Sequence, residues 1–521
     1  FVASMNDSTD DRSVLDRGFK FIERRHTSDR LILHILIFAL VAAFIYGVVL
    51  LNRSVSSETA VAGGTITEGI VGAPRFANPV LATTRADKDM AALVYRGLMK
   101  INNNGELVPD LAESVTITPD GRTYNVILRE GITFHDGTPV TARDVSYTIG
   151  LIQNPDLKSP LRSNWFGVLI EELGERELNI VLESPYAPFI ENLTVGILPQ
   201  DLWNELPIEQ LPFSQHNTEP IGAGPYQVKS IQRDKSGLIS SYTLRAFPGY
   251  EPTPLIDTVV VEFFRNEGDL FSALEAGDVD TTASLDTDQI ASLSDAYSVY
   301  DLPLPRTFTL FFNQNRSPVL RDLAAREALS AAIDREALVR EVLSGRGNPT
   351  ASPIPPSFGI TGVSSSTTAS STHLERARSI LREGGWAQND EGVWQKVIGE
   401  DTVPLEIVIT TANTDVFEAT AGAVAAAWQA LGAQVSVAQY AQGDLVQAII
   451  KPRDFSVLLF GADVGRSVDL YSFWHSSQKD DPGLNVSQYT NIDADNLLDE
   501  LQTTSSSTVR AELLLEIEDI S

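Results

Sequence analysis

The chain has no cysteine among its 521 residues. Structural disulfides, thiolate metal ligands and cysteine nucleophiles are therefore excluded, as is a lipid anchor built on an amino-terminal cysteine. Positive charge is scarce too: 39 Lys and Arg stand against 69 Asp and Glu, a formal net charge of −30. A surface of that sign repels nucleic-acid phosphates, so no nucleic-acid partner is expected. Histidine is limited to His26, His34, His135, His216, His373 and His475. No pair has His-x-x-x-His spacing, and no carboxylate cluster completes a ligand set at metal-binding intervals. Gly-x-Ser-x-Gly is also missing, so the chain has no nucleophile elbow. Carboxylate pairs arise here from abundance alone and carry no signal for glycoside hydrolysis. The expected reading is not an enzyme, with neither cofactor nor metal.

Long apolar runs are equally rare. The single one, residues 31–51 (LILHILIFALVAAFIYGVVLL), holds one ionisable group, His34. About 20 apolar residues span a bilayer's hydrocarbon core. Arg24, Arg25 and Arg30 precede the run and only Arg53 closely follows it. The positive-inside rule then predicts a cytoplasmic tail over 1–30, a transmembrane helix over 31–51 and an external chain from Asn52 onward. His34 lies near the cytoplasmic end, where its polar tip reaches the interface, and needs no function. A cleaved signal peptide ending at Ala60-Val61-Ala62 is the competing reading. The run exceeds the ~7–15 residues of a signal core, and Ala62 lies far from its end. An uncleaved single-pass anchor is preferred, with a periplasmic or extracellular ectodomain.

Beyond a short polar linker (52–62), the chain is too long for one ordinary core. Residues 63–71 alternate as a strand, and 86–99 have helical spacing through Met90, Leu93, Val94 and Leu98. Residues 114–118 alternate, Pro119-Asp120-Gly121 turns and 123–128 alternate again, which predicts a hairpin. A second Asp-Gly turn follows at Asp136-Gly137, and Thr141-Ala-Arg-Asp144 opens a helix. Residues 307–312 read as a strand and 256–264 as a buried strand. One long amphipathic helix is predicted over 320–343, a Ser/Thr-rich loop over 364–372, and helices over 374–383, 419–431 and 508–520. The glycines of Ile221-Gly-Ala-Gly-Pro-Tyr226 lack a following Gly-Lys-Ser/Thr, so they are not a phosphate loop.

Taken together, the string 111–145, Tyr95-Arg-Gly-Leu98, Ile221–Tyr226, Gly277-Asp-Val-Asp280 and Arg326-Glu-Ala-Leu-Ser-Ala-Ala-Ile-Asp-Arg335 closely resembles the family 5 extracellular solute-binding proteins of ABC importers. The resemblance runs from about Gly63 to the last residue. It implies an α/β, two-lobed periplasmic-binding-protein (Venus flytrap) fold preceded by the transmembrane helix. Lobe I is expected over 63–305, with an extra subdomain at about 80–215, and lobe II over 306–521. Relatives return to lobe I after a helix like 508–520, so the chain is expected to be a fragment lacking that return. Phe134-His-Asp136 falls in the signature hairpin, where the resemblance implies a structural role.

The resemblance further implies a short peptide held between the lobes and passed to an ABC permease with its ATPase, by a monomer. Another solute, such as a metal chelate or oligosaccharide, is the alternative within the fold. A tethered sensor or chaperone without transport is the alternative outside it. Residues 455–460 form a hydrophobic strand, which puts Gly461, Ala462 and Asp463 at its carboxyl end, where α/β proteins bind ligands. Asp463 is the best match to the family's acceptor for a peptide ammonium, with Asp469 as rival and a solvated loop carboxylate as the plain alternative. Trp474 is expected at the pocket wall and Phe473 in the core. On the other lobe Ala73 and Arg75 lie in the extended segment 71–76, where Arg75 could meet a ligand carboxylate or simply be a surface arginine.

Overall fold

The structure, a computed structural model, describes residues 27–55, 61–302, 304–352, 354, 370–465, 468–481, 483–504 and 506–520. Most of the predicted cytoplasmic tail, part of the linker and most of the 364–372 loop lie outside them. Two compact units result, one ending at Ala62 and one beginning at Gly63. In the first, Thr27–Val55 is a single helix, longer at both ends than the expected 31–51. Its described side chains from Leu31 to Leu51 are exposed. Positions 33 and 49 fall outside the described side chains, and among the described residues no helix is long and apolar enough to cross a membrane.

The second unit is built on separate sheets. A five-stranded mixed sheet runs in the order Thr281–Thr282, Thr65–Val71, Thr258–Phe264, Ile239–Ala246, Tyr226–Arg233. The predicted buried strand is its Thr258–Phe264, and its two faces are covered unequally. Val259 and Val261 are buried in the main apolar cluster, while Thr258, Val260 and Glu262 on the other face are half-buried; there Leu270 and Leu274 of helix Glu267–Ala276 pack with Val71 and Phe264 in a smaller cluster.

A four-stranded antiparallel sheet lies within the region expected as the inserted subdomain: Ala112–Ile117, Thr123–Leu128, Glu177–Val181, Leu169–Glu172. Its hairpin closes where predicted. Gly121 has φ 68°, and Asp120 accepts from the Arg122 amide at 3.1 Å. The following helix, Ala142–Gln153, opens at Thr141. Buried Asp144 accepts from the Thr141 amide and hydroxyl, both at 2.8 Å, and with its other oxygen from the Gln200 amide, also at 2.8 Å. One apolar cluster serves both sheets, from Ile70 through Trp165 and Trp203 to Val261.

The region expected as lobe II, called lobe II below, holds a sheet of order Arg306–Phe312, Val457–Asp463, Glu406–Ala412, Gln434–Tyr440. The last three strands are parallel, and Arg306–Phe312 runs against them. Helix Asp415–Leu431 crosses between two of the parallel strands and ends at Gly432, whose φ is 110°. Two expectations are corrected here. The helix predicted over 320–343 is three pieces, Pro318–Arg321, Leu323–Ala331 and Arg335–Val342. Asp322 and Asp334 break it: each adopts extended backbone and turns its carboxylate onto a downstream amide, at 3.1 Å for Ala325 and 2.9 Å for Ala337. Aspartate competes for backbone donors in this way and prefers helix starts to interiors. The helix expected from 374 begins earlier, as Ser370–Glu383, absorbing the end of the predicted loop into its first turn.

Candidate ligand site at the lobe II strand end

Gly461, Ala462 and Asp463 are the last residues of the strand Val457–Asp463 and pair with Phe308, Thr307 and Arg306 in turn. This end carries the carboxyl termini of the parallel strands and the amino terminus of helix Asp415–Leu431, where α/β sheets bind ligands. On its other side the strand pairs with Glu406–Ala412 only at Val457 and Leu458. Among the described residues, 460–463 are thus paired along one edge alone.

Asp463 is half exposed (53%), and its Oδ2 faces Arg306 Nη2 at 3.5 Å, with Arg306 51% exposed. Its Oδ1 accepts from the Gly465 amide at 3.2 Å. An ion pair this loose and wet is worth roughly 0–1 kcal/mol, so a desolvated ammonium can replace it. Ala462 is different: its side chain packs into an apolar cluster with Phe311, Leu458 and Phe455, leaving only its backbone for a ligand.

Asp469 is already committed. The Tyr186 hydroxyl donates to it at 2.8 Å and the Ser472 hydroxyl at 2.9 Å. Tyr186 lies 283 positions earlier in the chain, in the region expected as lobe I, so this bond ties two distant segments together. Burial, and after it the Asp469 charge, pushes the Tyr186 phenol well above its usual range, which keeps it a donor. Arg510 lies in the field of Asp469, Glu191 and Tyr186, with burial lowering its guanidinium and those groups opposing. Glu191 also reaches across: its carboxylate oxygen is 3.4 Å from where a Cβ on Gly465 would stand. These contacts rim a cavity of about 520 Å³, lined by Phe166, Tyr186 and Glu191 on one side and by Asp463, Asp469 and Phe473 on the other.

Phe473 lines this cavity, whereas Trp474 packs on Phe311 and Tyr489, at centroid distances of 6.4 and 6.0 Å. Ala73 and Arg75 are exposed on their extended segment. The backbone amide of Arg75 donates to Asp87 at 2.7 Å, and its guanidinium lies 5.0 Å over the Phe76 ring. Neither lines the cavity. His135 is held in the frame: the Gly222 amide donates to its Nδ1 at 3.3 Å. Its Nε2 must then carry the proton given to the Gly224 carbonyl at 3.0 Å.

Sequence reasoning missed Arg306, Phe308, Tyr186 and Glu191. The register that sets Arg306 opposite Asp463 is a long-range pairing with no local signal. Among the described residues no group of three His, Asp or Glu could hold a metal ion.

The family model for bacterial extracellular solute-binding proteins, family 5 Middle, matches residues 106–483. The oligopeptide-binding protein AppA of Bacillus subtilis is 27% identical over 453 residues, covering 85% of this chain and 81% of AppA. Its structure in complex with a nonapeptide superposes with a TM-score of 0.62 at 25% identity, covering 89% of this chain and 91% of that one. The dipeptide-binding protein of Escherichia coli is 24% identical over 471 residues, 85% of this chain and 84% of its own. NikZ from Campylobacter jejuni, solved with Ni(L-His), shares the fold at a TM-score of 0.62 and 23% identity, covering 87% of this chain and 90% of its own.

Proposed function

The chain belongs to the bacterial extracellular solute-binding proteins of family 5, the non-enzymatic binding components of ABC transporters, and we propose that its own solute is a short peptide delivered to a permease. The observation that carries this reading is the rim of lobe II. Residues 460–463 offer a strand edge paired on one side only, and it ends in a half-exposed carboxylate. An extended peptide can add to such an edge as a further strand, with sequence-independent backbone bonds, and bring its ammonium to Asp463. Asp469 is the less available carboxylate, because its Oδ2 already accepts from the Tyr186 and Ser472 hydroxyls. The oligopeptide- and dipeptide-binding relatives favour peptide over a metal chelate.

Native mass spectrometry of the purified full chain tests the reading. Co-purified masses should fall in the short-peptide range, and an added alanine tripeptide should displace them. A stoichiometric metal chelate or saccharide that no peptide displaces would overturn it.

We also propose that Thr27–Val55 anchors the protein, with the tail cytoplasmic and the ectodomain outside. At 1.5 Å per residue this helix is about 43 Å long. It shows apolar side chains on every side, an arrangement suited to lipid rather than water. Protease added to intact cells should remove the ectodomain. A mature protein beginning at Gly63 in a soluble fraction would show a cleaved leader instead.

A further inference from the structure

Gly461 has no structural reason to be glycine. A Cβ there would meet nothing closer than Arg306 Cδ at 3.9 Å and the Thr307 carbonyl at 4.0 Å, ordinary contact distances. Its φ is not in the left-handed region. Contrast Gly222, where a Cβ would stand 2.1 Å from the Val94 carbonyl oxygen. A glycine inside a strand forfeits backbone entropy and packing, and one that its own fold does not require marks a place where something else approaches.

The neighbours of Gly461 indicate what approaches. Phe308 is directly opposite across the strand pair and is 47% exposed, though it is a large apolar side chain in a sheet. Its ring meets Phe417 edge-on at 5.3 Å, and Phe417 stacks on Phe460 at 6.0 Å with planes 5° apart. Phe417 lies in the first turns of helix Asp415–Leu431, so this aromatic group stands at the ligand end of the sheet. Asp463 projects on the same face as Gly461, two residues further along, about 7 Å away by strand geometry. In a peptide, the first side chain branches from the carbon that carries the ammonium. An ammonium on Asp463 therefore brings that side chain over the notch at Gly461 and against the exposed part of Phe308.

We propose that Phe308 and the notch at Gly461 form a specificity subsite selecting peptides whose first residue is aromatic or large and apolar. The proposal rests on the peptide reading of the rim and extends it from backbone recognition to side-chain choice. Ring-on-ring packing in a notch that a methyl group leaves unfilled supplies the discrimination.

The test is calorimetry on the full chain in detergent with Phe-Ala-Ala and Ala-Ala-Ala. The wild type should bind the first about tenfold more tightly, or about 1.4 kcal/mol. In Gly461→Val, whose β-branched side chain suits a strand and fills the notch, the ratio should fall to about one whatever the absolute affinities do. Phe308→Ala should lower the ratio similarly, and Phe308→Leu should retain part of it. A wild-type ratio near one overturns the subsite while leaving peptide binding intact. A ratio unchanged in both Phe308→Ala and Gly461→Val assigns the preference elsewhere and overturns it too. Binding of neither peptide to the wild type, with another solute bound, refutes the underlying function instead.

Discussion

The rim of lobe II and the junction inside lobe I use the same residue types to opposite ends. At the junction, Gly222 and Gly224 press on the end of helix Arg85–Val94, where Cβ atoms would stand 2.1 and 2.6 Å from the Val94 carbonyl oxygen. The Gly224 amide donates to that oxygen at 2.8 Å, and His135 bonds both glycines. Every polar group named there has a protein partner at short range. At the rim, Gly461 is uncrowded, Asp463 and Arg306 face each other loosely at 3.5 Å, and Phe308 is half in water. Closure and satisfaction mark residues that hold the fold. Uncrowded, half-solvated groups in the same arrangement mark residues that wait for a ligand.

The sharpest way to break the contrast is Asp463→Asn. If the carboxylate meets the peptide ammonium in a closed cleft, its loss costs about 2–5 kcal/mol, roughly 30- to 4,000-fold in affinity. The melting temperature should hardly move, because the Arg306 pair in the free protein is a surface pair worth roughly 0–1 kcal/mol. An N-acetylated peptide should lose affinity on wild type and far less on the variant, and the four combinations form a double-mutant cycle. Additive losses would remove Asp463 from the ammonium site.

How much of this was legible beforehand follows the range of each interaction. The hairpin, its Asp-Gly turn and the Thr141–Asp144 start are local, and the sequence names them directly. The breaks at Asp322 and Asp334 were also local, but the apolar period runs through them and masked two capping aspartates. Asp463 was legible by its family position and strand-end setting. What separates it from Asp469 was not, because the partner that occupies Asp469, Tyr186, is 283 positions away in sequence. Arg306 and Phe308 belong to the same class: a strand's own residues do not state which strand will lie opposite, or in what register.

A second test moves from binding to stability by comparing glycines. Gly222→Ala drives a methyl group into backbone that has no side chain to swing aside. Overpacking of this kind costs roughly 1–3 kcal/mol, occasionally more. Gly461→Ala, with 3.9 Å of room, should leave stability unchanged or raise it by up to about 1 kcal/mol, since alanine loses less backbone entropy on folding. Urea denaturation of the two variants separates them. Equal losses would mean that Gly461 serves packing after all, and the distinction between junction and rim would fail.

The smallest expected effect is the pH response of the junction through His135. Burial, opposed by the Gly224 bond and the Asp136 charge, holds its imidazole below the ordinary 6.5. The geometry gives the reason: Nδ1 must stay unprotonated to accept from the Gly222 amide, and a proton on Nδ1 would point at that N–H instead of at an acceptor. A depressed folded value means that the unfolded chain binds the proton first. The contribution of His135 is therefore complete above about pH 6.5 and is lost as pH falls from there through the folded value, with a slope of at most about 1.4 kcal/mol per pH unit. His135→Asn does not titrate in this range, and its amide oxygen can still accept from Gly222. Carboxylates shared by both proteins cancel when their unfolding free energies are subtracted across pH 7 to 4.5. The difference should favour wild type most at the upper end and shrink toward the acid end. A difference that is flat with pH would mean that His135 is not held neutral, and that the junction tolerates the charge it is built to exclude.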